Sequence, residues 1–354
     1  MDPFNILSSV LLIGYICLVI YVANMELLNP NAPRLTRPLL FGVVGMMLLF
    51  ALVVLQAGLF TEIDLPADVT EAEMGFPTVS MAASVGFTVL AVACAGASLA
   101  VIHSARLRIR LKRMIGETAL YDPASPVHTA AIVLCLALIV STLGNLVLGG
   151  GLAGMADQLG ETGVSLGEAV FNQVLWVVAA FLGIGLFFRR SPAASMFRLR
   201  LRWPNGQDLV VGVGAGIGMY IGILGFAAVW SLLVPPESLA EQTSAAQAVT
   251  QAFNTLPSAF LLAVSVAIGE ELFFRGALQP VFGVLPTTIF FVLLHTQYTL
   301  TPASVGIFGV ALVLALVAKR VSVTSAIVAH FVYNFIQLAL AIVAARMLGG
   351  GGVP

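Results

Sequence analysis

Apolar runs, each about as long as one membrane-spanning helix, recur along the whole chain. A helix needs ~20 apolar residues to cross the ~30 Å hydrocarbon layer of a bilayer. On that measure the sequence divides into about ten segments, at about 4–27, 38–60, 78–103, 128–149, 169–188, 209–234, 258–282, 286–300, 303–318 and 323–346. The pattern predicts an all-α integral membrane protein, a polytopic bundle of about ten transmembrane helices.

The loops between these segments alternate in charge. Basic loops follow the first, third and fifth segments, with Arg34 and Arg37, then Arg106, Arg108, Arg110, Lys112 and Arg113, then Arg189, Arg190, Arg198, Arg200 and Arg202. Acidic loops follow the second, fourth and sixth, with Glu62, Asp64, Asp68, Glu71 and Glu73, then Asp157 and Glu161, then Glu237 and Glu241. Cytoplasmic loops are enriched in Lys and Arg, so the alternation predicts a multi-pass protein of the cell membrane with both termini outside.

Composition excludes several classes of protein. The chain of 354 residues is 59% hydrophobic and only 9% charged, with a mean hydropathy of +1.03, which an ordinary soluble globule cannot accommodate. Its formal net charge of -1 gives no field to attract a polyanion, so no nucleic-acid partner is expected. The three cysteines lie in apolar runs without metal or redox spacing. The expected surroundings are the lipid bilayer.

One apolar segment carries a row of small residues. Gly214, Gly218 and Gly222 recur at every fourth position. In lipid, the hydrophobic effect does not drive helices together, so they associate through close van der Waals packing. Small residues allow two helices to approach closely enough for that packing. The spacing predicts that this glycine face contacts a neighbouring helix.

Three ionisable residues interrupt a predicted span in the stretch "AIGEELFFRG", which runs from 267 to 276. A charge near the bilayer centre costs ~2.5–3.5 kcal/mol on insertion scales, so such residues indicate function. Glu271 and Arg275 are four residues apart and are expected to form an ion pair on one helix face. Glu270 lies ~100° around the helix with no basic residue one turn away, which leaves it available as a general base. Gly269 and Gly276 bracket the motif and leave room for a neighbouring helix or a substrate backbone.

Two of the four histidines lie within later predicted spans, and one of these has an amide one turn beyond it. These are His295, His330 and Asn334, the last two on one helix face. Two imidazoles, a carboxylate and a carboxamide at similar depth can activate a water and stabilise the oxyanion of a tetrahedral intermediate. The combination is typical of a hydrolase acting on an amide bond.

The same residues resemble a known family. "EELFFR" matches an EExxxR motif, "FVLLH" an FxxxH motif and "HFVYN" an HxxxN motif of the CAAX prenyl endopeptidase and bacteriocin-processing family of intramembrane proteases. The resemblance covers roughly the last ninety residues. It implies a metal-independent endopeptidase in which Glu270 is the base on a water shared with His295, and His330 with Asn334 forms the oxyanion hole. Glu271 and Arg275 would hold the motif in place.

On this basis we divide the chain into two regions. Residues 1–208 are an N-terminal transmembrane region of open role, and residues 209–348 are a CAAX-protease-like transmembrane catalytic domain. The expected partner is a peptide or membrane-protein substrate, and no cofactor is expected.

Three alternatives stay open at this stage. The Glu, His and His set could supply three ligands to zinc, although no HExxH motif is present. The buried charges could instead serve a transporter, or the chain could be a non-catalytic immunity or scaffold protein. A cluster of interfacial charges at the end of a span is the simplest non-functional interpretation.

Overall fold

The structure is a computed structural model that describes residues 3–29, 31, 33–61, 79–116, 120–152, 154, 165–234, 253–296 and 303–349. All regular structure in these residues is helical, with no strand, which confirms the predicted all-α class. The acidic residues expected after the second, fourth and sixth spans lie outside the described residues.

Thirteen α-helices and one π-helix follow one another in the described residues. They are α1 Pro3–Leu28, α2 Thr36–Thr61, α3 Met81–His103, α4 Ala105–Ile115, α5 Pro126–Leu148, α6 Leu166–Ile184, α7 Pro192–Arg198, α8 Gly206–Ser231, α9 Leu256–Glu270, the π-helix Glu271–Leu278, α10 Gln279–Phe282, α11 Val284–Leu294, α12 Ser304–Arg320 and α13 Val323–Gly349. Helix α9, the π-helix and α10 form one continuous rod, which we call the motif helix.

Eight of the described helical segments are long and apolar enough to cross a membrane. They are α1, α2, α3, α5, α6, α8, the motif helix and α13. The two remaining predicted spans correspond to the shorter helices α11 and α12, of 11 and 17 residues. The protein is therefore a multi-pass integral membrane protein, as the hydropathy pattern predicted.

The chain divides into two compact units. The first comprises Met1–Gly151 with Phe181–Pro192, and the second Leu152–Ala180 with Ala193–Pro354. In the first unit, α2, α3 and α5 pack around buried aliphatic residues and Phe87. The division at residue 208 is a statement about function and stays a prediction.

In the second unit, α13 packs against α8, α9 and α12. The α8 face that makes this contact carries Gly212 and Gly216, where an added Cβ would lie 2.6 Å from Val328 and 2.7 Å from the Ala329 carbonyl. Around the three glycines of the predicted face, an added Cβ would meet nothing within 4 Å. The prediction that α8 packs closely against a neighbouring helix was correct. The predicted contact face, which carries Gly214, Gly218 and Gly222, was wrong, because the contact is made by Gly212 and Gly216.

A buried carboxylate fixes the start of α13, the helix that carries His330. Asp208 is fully buried near the start of α8 and accepts hydrogen bonds from the Ser322 and Ser325 hydroxyls at 2.6 and 2.7 Å. Arg202 donates to both of its oxygens at 2.9 and 3.0 Å, and this hydrogen bonding raises the pKa of Arg202. Because its acceptor positions are filled, the carboxylate acts as a structural anchor.

Candidate active site

The motif helix begins with a reciprocal cap. The Thr255 hydroxyl accepts from the Ser258 amide, and the Ser258 hydroxyl accepts from the Thr255 amide, both at 3.3 Å. Pro257 lies in the first turn, where its missing N–H costs nothing. From there the helix is regular up to Glu270, and the chain turns at Gly283.

The EExxxR motif lies at the change from α-helix to π-helix. Glu270 is the last residue of α9, and Glu271 is the first of the π-helix. π-helical turns are rare and frequently lie at functional sites. This turn directs Glu271 and Arg275 into the protein, where both side chains are at most 1% exposed.

Two glycines let neighbouring chain segments approach the motif, as the sequence predicted. A Cβ on Gly269 would lie 2.6 Å from the Gln173 amide oxygen, so α6 packs directly before Glu270. A Cβ on Gly276 would lie 3.0 Å from the side chain of the buried Leu199. Side chains larger than glycine would push both neighbours away from the site.

Glu270 lies between two histidines. Its Oε2 atom is 4.0 Å from Nε2 of His295 and 4.0 Å from Nε2 of His330, and its side chain is 13% exposed. This oxygen is buried and has no hydrogen-bond partner in the described residues. The structure therefore brings together three residues that the sequence assigned to three different spans.

His295 is the first residue after α11. Its Nδ1 is 2.8 Å from the Phe291 carbonyl oxygen, and its ring stacks on the Phe291 ring at 4.2 Å. A carbonyl oxygen only accepts hydrogen bonds, so Nδ1 carries the proton. In the neutral ring, the Nε2 atom that faces Glu270 is then an acceptor. The predicted span 286–300 thus ends at Leu294, and the FxxxH spacing fixes the tautomer of its histidine.

Glu271 bridges Arg275 and His330. Its Oε2 lies 3.3 Å from Arg275 Nε, which confirms the expected ion pair, and its Oε1 lies 2.9 Å from His330 Nδ1. Arg275 also donates to the Ala311 carbonyl on α12 at 3.2 Å and stacks over the Phe291 ring at 4.3 Å. The contact to His330 was not predicted, because it joins residues 59 positions apart.

Asn334 follows His330 by one turn of α13 and is half-buried. This spacing places both side chains on the same face of α13. Within the part of the chain that the structure describes, its amide forms no hydrogen bond.

Sequence reasoning missed a set of arginines that hold this site. Arg198 donates to the Gly276 carbonyl at 3.0 Å, within the π-helix. Arg200 donates to carbonyls at the end of α12, with the Ala318 oxygen at 2.7 Å. The third arginine of the "RLRLRW" segment, Arg202, pairs with Asp208 at 2.9 Å. An acidic residue directly before the predicted span 209–234 was the available signal for this pair.

Arg275 should be needed for folding as well as activity. We expect Arg275→Ala to destabilise the protein by about 3–5 kcal/mol, because it removes one partner of a buried ion pair. Thermal unfolding in detergent measures the loss. Arg320→Ala, an exposed arginine on α12, is the matched control and should unfold like wild type. If Arg275→Ala unfolds at the wild-type temperature, the pair has no structural role.

Fold and site together define a class. The chain is a polytopic membrane protein that buries a carboxylate, a guanidinium and an imidazole where the motif helix meets α13, with the partly exposed Glu270 beside them. Within the described residues, no group of three or more His, Cys, Asp or Glu side chains has metal-binding geometry.

Comparison with known proteins adds a family match over one segment of the chain. A family model described as type II CAAX prenyl endopeptidase Rce1-like matches residues 252–336, which include all six candidate site residues. The resemblance inferred from the three motifs is confirmed over this segment. It supports a CAAX-type intramembrane protease. No curated protein and no solved structure matches the chain.

Proposed function

We propose that the protein is a metal-independent intramembrane endopeptidase in which Glu270 activates the attacking water. One observation carries the proposal. The Glu270 carboxylate lies 4.0 Å from the Nε2 atoms of both His295 and His330. That separation is too long for a direct hydrogen bond and suits a water that bonds to two of the three groups.

The tautomer of His295 supports its role in holding the water. Because Nδ1 donates to the Phe291 carbonyl, the neutral ring offers Nε2 as an acceptor. A water with one hydrogen toward Nε2 and the other toward Glu270 points an oxygen lone pair away from both. As this oxygen attacks the peptide carbonyl carbon, Glu270 takes the proton and later delivers it to the leaving amine.

The second histidine is suited to stabilise the oxyanion. Its Nδ1 lies 2.9 Å from the buried Glu271 carboxylate, to which it donates a hydrogen bond. With a proton on Nε2 as well, the ring would also donate to the carbonyl oxygen as negative charge develops there. Asn334, one turn further along α13, would supply a second donor.

The buried charges of this arrangement are paired. The Glu271 carboxylate lies 3.3 Å from Arg275 Nε and 2.9 Å from His330 Nδ1. Isolated buried charges cost several kcal/mol, whereas paired and hydrogen-bonded ones are tolerated. The pairing is therefore compatible with a motif helix that spans the membrane, and it supports a site that is stable before substrate enters.

Peptide cleavage by the purified protein tests the proposal. We expect hydrolysis of prenylated C-terminal peptides or of unmodified hydrophobic peptides, detected by mass spectrometry, and we expect it to continue after a strong chelator. A zinc enzyme would lose activity to the chelator and regain it on addition of metal. Such metal rescue would exclude the glutamate mechanism. Glu270-dependent proton movement in sealed vesicles without any cleavage would indicate a transporter instead.

A further inference from the structure

A cavity of about 520 Å³ lies in the first compact unit. Its walls include Leu27 near the end of α1, Thr36 at the start of α2, Ile102 near the end of α3 and Pro126 at the start of α5. All four are residues at or near the ends of spans, on the side of the predicted basic loops. The cavity is therefore at the depth where lipid headgroups lie.

Three arginines line this cavity. Arg34 and Arg37 are exposed, and within the described part of the chain neither side chain forms a hydrogen bond or an ion pair. Arg108 is half-buried and is held by the Pro123 and Val101 carbonyls at 2.7 and 2.6 Å. No described carboxylate forms an ion pair with it. Among the described residues, its hydrogen bonds therefore go to neutral carbonyls, which give a half-buried guanidinium no counter-charge.

A buried hydroxyl gives a second sign of a ligand. Thr36 is 2% exposed and lines the cavity, and its Oγ1 has no hydrogen-bond partner in the described residues. Its backbone N–H is bonded to the Glu26 carboxylate at 2.5 Å. Buried hydroxyls without a partner are uncommon in native proteins. An oxyanion that reached this hydroxyl would supply the acceptor that it lacks among the described residues.

We propose that this cavity binds the phosphate headgroup of an anionic phospholipid. The three arginines outweigh the one carboxylate, Glu26, so the cavity favours negative charge. The neighbouring helix α4 adds to this field with Arg106, Arg110, Lys112 and Arg113, all outside the cavity. Basic residues near the cytoplasmic leaflet attract anionic lipids by about 1 kcal/mol each, which is about fivefold in affinity.

Native mass spectrometry of the purified full chain tests this site, with phosphatidylglycerol and phosphatidylcholine as probes. We expect retention of one phosphatidylglycerol in preference to phosphatidylcholine. The double variant Arg34→Gln with Arg37→Gln should bind it about 25-fold more weakly, and Glu26→Gln several-fold more tightly. Thr36→Val should weaken binding without changing charge. All four positions lie outside the proposed catalytic cluster, so peptide cleavage is not part of the readout.

A matched control distinguishes specific binding in the cavity from attraction of the lipid to the basic surface as a whole. Arg110→Gln with Arg113→Gln removes the same charge from exposed positions outside the cavity and should weaken lipid binding much less than the cavity variant does. An equal loss in both double variants would mean that the basic surface acts as a whole, and the proposal would be wrong. Displacement of the lipid by millimolar inorganic phosphate would assign the site to a soluble anion. Equal retention of the two lipids would also overturn the proposal.

Discussion

Glu270→Gln should lower the rate of peptide cleavage by about 100- to 10,000-fold, which is the contribution of general-base catalysis. The amide keeps the shape of the side chain but cannot take a proton from water. Its –NH₂ group would instead donate toward the acceptor Nε2 of His295, 4.0 Å from the wild-type carboxylate oxygen. Initial rates of peptide cleavage under saturating substrate measure the effect.

The same variant should still fold and still bind peptide, because the change touches only proton transfer. Thermal unfolding and peptide binding therefore serve as internal controls. Glu168→Gln is the matched substitution, since Glu168 is an exposed glutamate in the first turn of α6. If Glu270→Gln cleaves at the wild-type rate, the glutamate mechanism has to be abandoned.

Asn334→Ala should lower kcat by about 100- to 1,000-fold while KM changes little. The reason is that an oxyanion-hole donor acts on charge that develops only in the transition state. Steady-state kinetics with one cleavable peptide separates the two parameters.

Asn334→Asp distinguishes hydrogen bonding from packing. Aspartate has the same shape but adds a negative charge where the oxyanion forms, so it should be at least as inactive as alanine. Asn145→Ala, at an exposed position of α5, is the control and should keep full activity. Near wild-type activity in Asn334→Asp would show that the side chain only fills space.

The sequence predicted those parts of the fold and site that depend on local spacing. Apolar length placed the long helices, since a helix must satisfy its own backbone in hydrocarbon. The Glu271 and Arg275 pair was also predictable. Side chains four residues apart lie close together in an α-helix and also in a π-helix, so the ion pair forms although this segment is π-helical.

Contacts that depend on packing between distant segments could not be predicted. Which carboxylate faces which histidine is decided by how α13 lies against the π-helix, and no local pattern encodes that arrangement. The α8 glycines show the same limit. Small residues occur on more than one face of α8, so periodicity alone could not select Gly212 and Gly216 as the contact face. Arg198 was missed because its acceptors are backbone carbonyls, which leave no mark in a sequence.

The arginine contacts to the motif helix also bear on which part of the chain can fold alone. The family match covers residues 252–336, but Arg198 and Leu199 precede it, as does Asp208, which anchors α13. A chain cut at residue 252 would leave the Ser322 and Ser325 hydroxyls without their shared acceptor and would remove the Arg198 donor from the Gly276 carbonyl. In lipid each unsatisfied polar group costs several kcal/mol. The segment that matches the family model therefore lacks contacts that support the candidate site, so a gene fusion or domain transplant that follows the motif boundaries would move the site residues without their supports.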